Sequence, residues 1–451
     1  MESSRTYFPG LNGLRFFAAF AVLVTHVEFT KKIMRHGDYY WLPIDKWIQG
    51  SAFESMFREG GLPAIHWISP FVTQGGYMGV IFFFVLSGFL ITYLLLEEKR
   101  VSNTVAVRKF YFRRILRIWP LYYLVVLLGF FVLHHLPFFE VKTQEDQFFS
   151  HYWLNFASYM CMLPNLGFAI VMEAVPNLGH LWSIGVEEQF YLMWPLLLKF
   201  AKKPIRTIFI FLAVVLSIKV FVMVLFTVVY PQPYLDPDLM IFSPVESLKR
   251  FIGTLKFEAM AIGGLGACML FYKKEKLLAI VYSRFIQIAA YISIPVIVLF
   301  TPKSMYTALY LFFSVPFLII ILNVATNERS IFKLRSKVFD FLGRISFGIY
   351  MYHLICIAFA FHVLDYIIEF PALLEGWHTL LLYLVSIPLT IGVSSVSYFY
   401  FEKKFIQRKR KYTTVVSGDD ARSSYHAEKT FHISDLRKSL CVFVCILQGS
   451  L

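Results

Sequence analysis

GYMGVIFFFVLSGFLITYLLL, residues 76–96, is an apolar stretch without a single charged side chain. A helix needs about 20 mainly apolar residues to cross the hydrocarbon core of a bilayer, and this stretch has that length. It therefore predicts a transmembrane helix, and the rest of the chain can be compared with it.

Nine further runs of similar length and apolarity lie on either side of this one. Together they predict an all-α polytopic membrane protein, a bundle of about ten transmembrane helices. The predicted spans are 11–29, 76–96, 115–136, 180–200, 207–229, 255–272, 284–300, 305–325, 345–368 and 378–401. The stretch 151–171 is only half apolar, and we expect it to be re-entrant or interfacial, because irregular backbone is tolerated where it lines a protein cavity.

The composition agrees with a membrane location. Hydrophobic residues make up 58% of the chain and charged residues only 16%, whereas a soluble chain is about 45–50% apolar. Lys and Arg outnumber Asp and Glu by 43 to 29. No basic stripe interleaved with aromatic residues lies on a soluble segment, so we do not expect nucleic-acid binding. The excess of Lys and Arg is better explained as positive charge in the loops, which orients the protein in its membrane.

Short basic loops are typical of the cytoplasmic side of a membrane protein. Ten spans place all five basic loops on one face, and these loops are 97–114, 199–206, 273–276, 328–337 and 402–411. We therefore predict that both termini are cytoplasmic, that the segments 30–75 and 137–179 are outside, and that the protein lies in the inner (plasma) membrane.

The chain changes character at residue 401. Residues 1–401 are predicted to form the membrane domain, and the polar segment 402–451 a cytoplasmic, disordered tail. We expect no soluble hydrolase domain after the membrane part and no cleaved signal peptide before it. The five cysteines show neither a CxxC pair nor zinc-like spacing, so no metal site is expected.

Ionisable residues inside spans are costly and are functional candidates by default. Arg15 and His26 are eleven residues apart, almost three helical turns, so they share one face and lie about 16 Å apart along the helix axis. Histidine suits general-base chemistry near neutral pH. The alternative is an arginine that extends to the interface and a histidine that is satisfied within the core.

Three arginines lie at the inner end of the third span, in VRKFYFRRILRIWPLYY. Arg113 and Arg114 are four and three residues before Arg117, so at least two guanidinium groups share a helical face. Guanidinium forks bind phosphate well. Anchoring of the cytoplasmic side by positive charge is the alternative explanation.

Two carboxylates, Glu187 and Glu188, interrupt the fourth span in GHLWSIGVEEQFYLMWP. Glu187 is predicted to lie in the outer half of the membrane, at a depth similar to that of His26. A carboxylate there would orient the imidazole, or it would be protonated and structural.

Ser346, Tyr350 and His353 stand at positions i, i+4 and i+7 of the ninth span, in RISFGIYMYHLI. They place three hydrogen-bonding groups on one helical face. Hydrogen bonding between helices would explain such a face without any catalytic role.

Taken together, these stretches resemble the membrane-bound acyltransferase 3 family, whose members O-acylate cell-surface polysaccharides and other acceptors. The resemblance covers about residues 8 to 401. The motifs that carry it are LNGLRFFAAFAVLVTH, GVIFFFVLSGFLIT, FYFRRILRIWPLYY, GHLWSIGVEEQFYLMWP and ISFGIYMYH.

The resemblance implies roles for individual residues. Arg15 and His26 match the family's paired essential residues, and Arg114 and Arg117 match its Arg-x-x-Arg pair, which is thought to meet the donor. Glu187 matches a recurrent glutamate, and Tyr350 and His353 fall on the motif of the penultimate span. The stretch LKFEAMAIGG has Lys256 and Glu258 where the family usually has Arg and Asp, a departure that keeps both charges. We expect His26 and Glu187 to be catalytic, and the predicted donor-binding residues are Arg15, Arg113, Arg114, Arg117, Ser346, Tyr350 and His353.

The predicted activity is transfer of an acyl group, with acetyl first, from cytoplasmic acyl-CoA to a hydroxyl of an extracytoplasmic glycan or glycolipid. His26 would deprotonate the hydroxyl, and Glu187 would orient the imidazole. A covalent acyl-enzyme on Tyr350 or His26 is an alternative route. Expected partners are membrane lipid, the acceptor and, unless transfer is direct, a separate extracytoplasmic protein. The rival functions are a transporter of a lipid-linked or anionic solute, although no repeated halves are evident, and an inactive relative that acts as a sensor.

Overall fold

The computed structural model describes residues 5–36, 65–139, 149–171, 175–229, 235–236, 241–300, 306–368, 375–413 and 415–417. In these ranges the chain is a helical bundle with two pairs of two-residue strands. The helices are α1 (Leu11–His36), α2 (Ile65–Ser102), α3 (Val107–Phe131), α4 (Tyr152–Met160), α5 (Pro164–Ile170), α6 (Trp182–Phe200), α7 (Pro204–Val229), α8 (Pro244–Thr254), α9 (Phe257–Phe271), α10 (Glu275–Tyr282), α11 (Arg284–Phe300), α12 (Tyr306–Thr326), α13 (Lys337–Arg344), α14 (Ser346–Ile367), α15 (Glu375–Ser397) and α16 (Lys403–Arg408). The strands are β1 (Arg5–Thr6), β2 (Leu235–Asp236), β3 (Ile241–Phe242) and β4 (Val416–Ser417), with β1 parallel to β4 and β2 antiparallel to β3.

Each of the ten predicted spans overlaps a helix over most of its length, and the all-α polytopic membrane fold is confirmed. In the described part of the chain seven helical segments are long and apolar enough to cross a bilayer, or eight if α10 and α11, which meet at a bend of 60°, form one span. Two predicted spans fall short of that measure. Helix α6 carries Glu187, Glu188 and Lys199, and α12 enters that measure only over Leu311–Thr326. The count of ten therefore stays a prediction.

Helix α2 lies at the centre of the bundle, and α7 lies at its edge. In α2 72% of the apolar span is buried, whereas in α7 only 11% is buried. Glycines allow α2 to approach α9 very closely. A Cβ atom on Gly88 would lie 1.8 Å from the carbonyl oxygen of Met260, and one on Gly263 would lie 2.0 Å from that of Val85. Small residues of this kind let membrane helices pack backbone to backbone.

The predicted re-entrant stretch 151–171 forms the short helices α4 and α5. Nine and seven residues are too few to cross a bilayer. The hydroxyl groups of Tyr122 and Tyr123 on α3 donate to the carbonyl oxygens of Tyr159 and Met160, at 2.9 and 3.0 Å. These bonds hold the end of α4 against α3, and the one to Met160 satisfies a carbonyl group that the helix end leaves without a backbone partner.

The last span continues past the predicted domain boundary at residue 401. A π-helical turn, Tyr398–Glu402, joins α15 to α16, and a 3₁₀ turn, Lys409–Tyr412, follows. This segment packs on α3, where the rings of Phe112 and Tyr412 stack with centroids 5.0 Å apart. The predicted tail beyond residue 417 lies outside the described residues, so its disorder stays a prediction.

Candidate functional site

Three histidines form a row inside the bundle; two of them are buried and His26 is partly buried. His26 comes from α1, His353 from α14, and His180 from the 3₁₀ turn Gly179–Leu181 that precedes α6. The ring centroids of His26 and His353 are 4.8 Å apart, and those of His353 and His180 are 4.6 Å apart. His353 is 0% exposed and His180 is 3% exposed. We call these residues the histidine row.

Backbone contacts fix the tautomer of two of these rings. Nδ1 of His26 lies 2.8 Å from the carbonyl oxygen of Val22, and Nδ1 of His353 lies 2.6 Å from that of Tyr350. A carbonyl oxygen only accepts, so in each ring Nδ1 donates and Nε2 carries the lone pair that a general base needs. Nε2 of His353 is buried and has no hydrogen-bond partner among the described residues.

Tyr350 joins α14 to the turn that carries His180. Its hydroxyl donates to the carbonyl oxygen of His180 at 2.9 Å and lies 2.6 Å from Oγ of Ser183. Of the residues predicted to share this face of α14, His353 contacts His26 and Tyr350 contacts the turn that carries His180. The third residue of that predicted face, Ser346, donates instead to the carbonyl oxygen of Gly343 at 2.8 Å, at the start of α14.

The three arginines of α3 have different surroundings. Arg113 forms an ion pair of 2.8 Å with Glu98 and donates to the carbonyl oxygen of Tyr412 at 2.8 Å. Arg114 lies over the rings of Phe110 and Tyr191, at 5.4 and 5.2 Å.

Arg117 lies within electrostatic range of Glu402. Neither Arg114 nor Arg117 makes a hydrogen bond or an ion pair with any described residue. Their guanidinium donors are therefore available to a ligand, whereas those of Arg113 are engaged in the fold.

Glu187 lies with the arginines and not with His26. It accepts a hydrogen bond of 3.0 Å from the hydroxyl of Tyr191 and is within electrostatic range of Arg114. No hydrogen bond joins it to His26, so the predicted orienting contact is not formed. The neighbouring Glu188 accepts a hydrogen bond of 3.1 Å from the indole of Trp119. Glu187 and the histidine row lie at different depths in the bundle, because Glu187 is two helical turns beyond His180.

One face of α6 connects the histidine row to the arginines. His180, Ser183, Glu187 and Tyr191 stand at i, i+3, i+7 and i+11, a spacing that returns to the same helical face. His180 and Ser183 contact α14, and Tyr191 contacts Arg114. We call this set the polar face of α6. It spans about 16 Å along the helix axis.

Sequence reasoning did not single out His180, Ser183 or Tyr191, although their spacing was visible in the sequence. It also did not identify Glu98 and Glu402, which are the charge partners of α3. Both lie in segments that the charge pattern marks as loop or tail, and their partners are distant along the chain.

Two other predicted groups lie apart from the histidine row. Arg15 donates to Oδ1 of Asn12 at 3.1 Å, near the start of α1. Glu258, 0% exposed on α9, is paired with Lys219 of α7, and Nζ of Lys256 donates to the carbonyl oxygen of Gly253 at 2.7 Å. In the described residues no group of three or more His, Cys, Asp or Glu side chains is arranged so that it could hold a metal ion.

The chain is similar to known acyltransferases. The family described as "Acyltransferase domain" (acyltransferase 3) matches residues 8–399. The peptidoglycan O-acetyltransferase OatA of Listeria monocytogenes is 25% identical over 78% of this chain and 49% of its own length. The O-acetyltransferase OatA of Staphylococcus aureus is 27% identical over 44% of this chain and 26% of its own length. The chain thus spans half or less of these two relatives, and no solved structure matches it.

Proposed function

The chain belongs to the acyltransferase 3 family of membrane acyltransferases, and from that premise we propose that it moves an acetyl group from cytoplasmic acetyl-CoA to a hydroxyl of an extracytoplasmic glycan. The main support for this proposal is that the polar face of α6 connects two groups of side chains that could take part in the reaction. At one end are two arginines without hydrogen-bond partners among the described residues, and at the other is the histidine row.

The donor end consists of Arg114 and Arg117. Guanidinium groups bind phosphate through paired N–H donors, and coenzyme A is rich in phosphate. The pantetheine arm would run along the polar face of α6 and bring the thioester to the histidine row. Glu187 would position Arg114, and Arg113 would support the fold around this mouth.

The chemical step requires one base. Nε2 of His26 takes the proton of the acceptor hydroxyl, and the oxygen attacks the thioester carbonyl carbon. The carbon–oxygen bond forms, the carbon–sulfur bond breaks, and the departing sulfur receives a proton to become the free thiol. Direct transfer of this kind needs no covalent enzyme intermediate.

Peptidoglycan is the first acceptor to test, because the Listeria relative is named for it. If Arg114 and Arg117 bind the phosphates of the donor, the end of α3 that carries them would face the cytoplasm. The acceptor would then reach the histidine row from outside. A multi-pass protein in the plasma membrane with both termini inside meets these requirements.

The decisive experiment uses the full chain in proteoliposomes, with radiolabelled acetyl-CoA inside and peptidoglycan fragments outside. We expect labelled glycan outside and free thiol inside, and neither product with His26→Ala. Equal labelling when the donor is supplied only outside would contradict the proposed orientation. Release of no thiol by the parent protein with any acyl-CoA would overturn the proposed function, and uptake of intact glycan would favour a transporter.

A further inference from the structure

Arg114 lies beside two aromatic rings at the inner end of α3. The central carbon of its guanidinium group is 5.4 Å from the ring centre of Phe110 and 5.2 Å from that of Tyr191. The two rings are nearly perpendicular, at 84°, and their centroids are 6.4 Å apart. The face of an aromatic ring attracts a cation electrostatically. The two rings therefore stabilise the charge of Arg114, which is half-buried.

Ring faces stabilise a guanidinium group without occupying its hydrogen-bond donors. The group has five N–H donors and no acceptor. Arg113 uses donors on Glu98 and on the carbonyl oxygen of Tyr412, whereas Arg114 makes no hydrogen bond or ion pair within the described part of the chain. Arg114 is thus held in place with its N–H donors unused, as the binding of a phosphate fork requires.

The two rings differ in what holds them. Phe110 stands four residues before Arg114 on the same helix, so it moves together with the arginine. Tyr191 belongs to α6 and is 4% exposed. Its hydroxyl donates its only proton to Oε2 of Glu187 at 3.0 Å, so in the contact with the hydroxyl of Ser87 on α2 it is Ser87 that donates. These two bonds fix the ring of Tyr191 relative to α2 and α6.

We propose, on the basis of the function above, that Tyr191 is a positioning residue that acts through Arg114: its ring fixes the place where the guanidinium group meets the phosphates of the donor. A long side chain loses rotamer freedom when it binds a ligand, and a side chain that is already fixed loses less. The ring of Tyr191 therefore raises the affinity for the donor. It lies about 16 Å along α6 from His180, so it does not touch the reacting atoms.

The test compares Tyr191→Leu with Tyr191→Phe in the full chain, with acetyl-CoA as the donor. Tyr191→Leu removes the ring, and we expect the KM for acetyl-CoA to rise about three- to tenfold while kcat stays close to that of the parent. Tyr191→Phe keeps the ring and loses only the hydroxyl, so we expect it to retain most of the donor affinity. An unchanged KM in Tyr191→Leu, or equal losses in the two variants, would overturn the proposal.

Tyr111→Leu is the matched control. Tyr111 also joins α3 to α6, because its hydroxyl donates to the carbonyl oxygen of Leu192 at 2.7 Å. Among the described residues, however, the rings over Arg114 are those of Phe110 and Tyr191. We expect the control to keep the parent KM for acetyl-CoA. A rise equal to that in Tyr191→Leu would show that loosening α3 against α6 is sufficient, and it would overturn the proposal.

A double-mutant cycle with Arg114→Ala tests whether Tyr191 acts through the arginine. In the Arg114→Ala background, Tyr191→Leu should raise the KM for acetyl-CoA no further. A further rise as large as that in the parent background would overturn the proposal. If Tyr191→Leu does not fold, Tyr191→Met, which also lacks the ring, takes its place with the same expectations.

Failure of this proposal differs from failure of the proposed function. A parent protein that transfers no acetyl group defeats the function. An active parent whose donor affinity does not depend on the ring of Tyr191 defeats only the positioning role.

Discussion

Arg113 and Arg114 are neighbours in the chain but have opposite bonding: Arg113 pairs with Glu98 at 2.8 Å and binds the carbonyl oxygen of Tyr412, whereas Arg114 has no hydrogen bond to any described residue. Successive residues of a helix point about 100° apart. One side chain therefore reaches the end of α2 and the C-terminal segment, and the next reaches α6. This difference separates an arginine that supports the fold from one that we propose binds the donor.

Arg113→Ala should destabilise the protein and leave its donor affinity largely intact. Loss of the guanidinium breaks the ion pair of Glu98, which is 2% exposed, and breaking a buried ion pair costs about 3–5 kcal/mol. Thermal unfolding in detergent measures the loss. Arg108→Ala is the control, because Arg108 is exposed and, within the described part of the chain, lies over the ring of Phe112 without an ion pair. Equal melting temperatures for the two variants would contradict the structural role.

Arg114→Ala or Arg117→Ala should raise the KM for acetyl-CoA and leave the KM for the acceptor unchanged. A charge-assisted hydrogen bond contributes about 1.5–3 kcal/mol, which corresponds to a change of about tenfold or more. Lys at either position should restore only part of the affinity, since a point charge does not reproduce a bidentate fork. A double variant that binds donor as tightly as the parent would reduce both arginines to topology anchors.

His26→Ala should abolish acetyl transfer while the protein stays folded and inserted. General acid–base catalysis contributes about 10²–10⁴-fold to a rate, so kcat of the variant should be lower than that of the parent by at least about 100-fold. Size-exclusion profiles and melting temperatures serve as the folding control. In His26→Gln the side chain keeps hydrogen bonding without basicity, so substantial activity there would indicate that His26 positions the substrate.

Tyr350→Phe and Ser183→Ala should be coupled, because the two hydroxyl groups lie 2.6 Å apart. Each single change should cost about 0.5–1.5 kcal/mol of stability. The double variant should cost less than the sum of the two, since both changes remove the same hydrogen bond. Strictly additive losses would mean that the hydroxyl of Tyr350 acts through the carbonyl oxygen of His180 alone.

Membrane orientation is testable by reporter fusions. A reporter fused after Lys411 should report the cytoplasm, and one inserted near Trp47 should report the exterior, because the basic loops mark a single face. Two reporters on the same side would show that the predicted number of spans is wrong.

The sequence was sufficient to predict where the helices lie and which residues of the candidate site share a helical face. Apolar length located a helix at every predicted span, and helical spacing placed Tyr350 and His353 on one face of α14, from which His353 contacts His26. Such periodic patterns depend only on the local chain, so they can be read without knowledge of the packing.

The remainder of the site depends on how helices are offset along their axes. Glu187 was expected beside His26, but α6 places it two turns beyond His180, next to Tyr191 and Arg114. The periodicity of a sequence shows on which face of its helix a residue lies. It does not show how far along the axis that residue lies relative to residues of another helix. The partners of Arg113 and Arg117 were missed for a related reason, since Glu98 and Glu402 are ordinary loop charges until tertiary contacts bring them to α3.

The π-helical turn Tyr398–Glu402 has a consequence for how this end of the chain tolerates change. A π turn holds one residue more than an α-helical turn, and one residue corresponds to a rotation of about 100° about the helix axis. Glu402 is 5% exposed and accepts a hydrogen bond of 3.2 Å from the hydroxyl of Ser397. The extra residue of the turn is what directs its side chain into the bundle. Deleting any one residue of the turn would swing α16 by a quarter turn or more and carry Glu402 away from Arg117. The number of residues in this turn therefore determines whether a carboxylate lies beside Arg117 of α3.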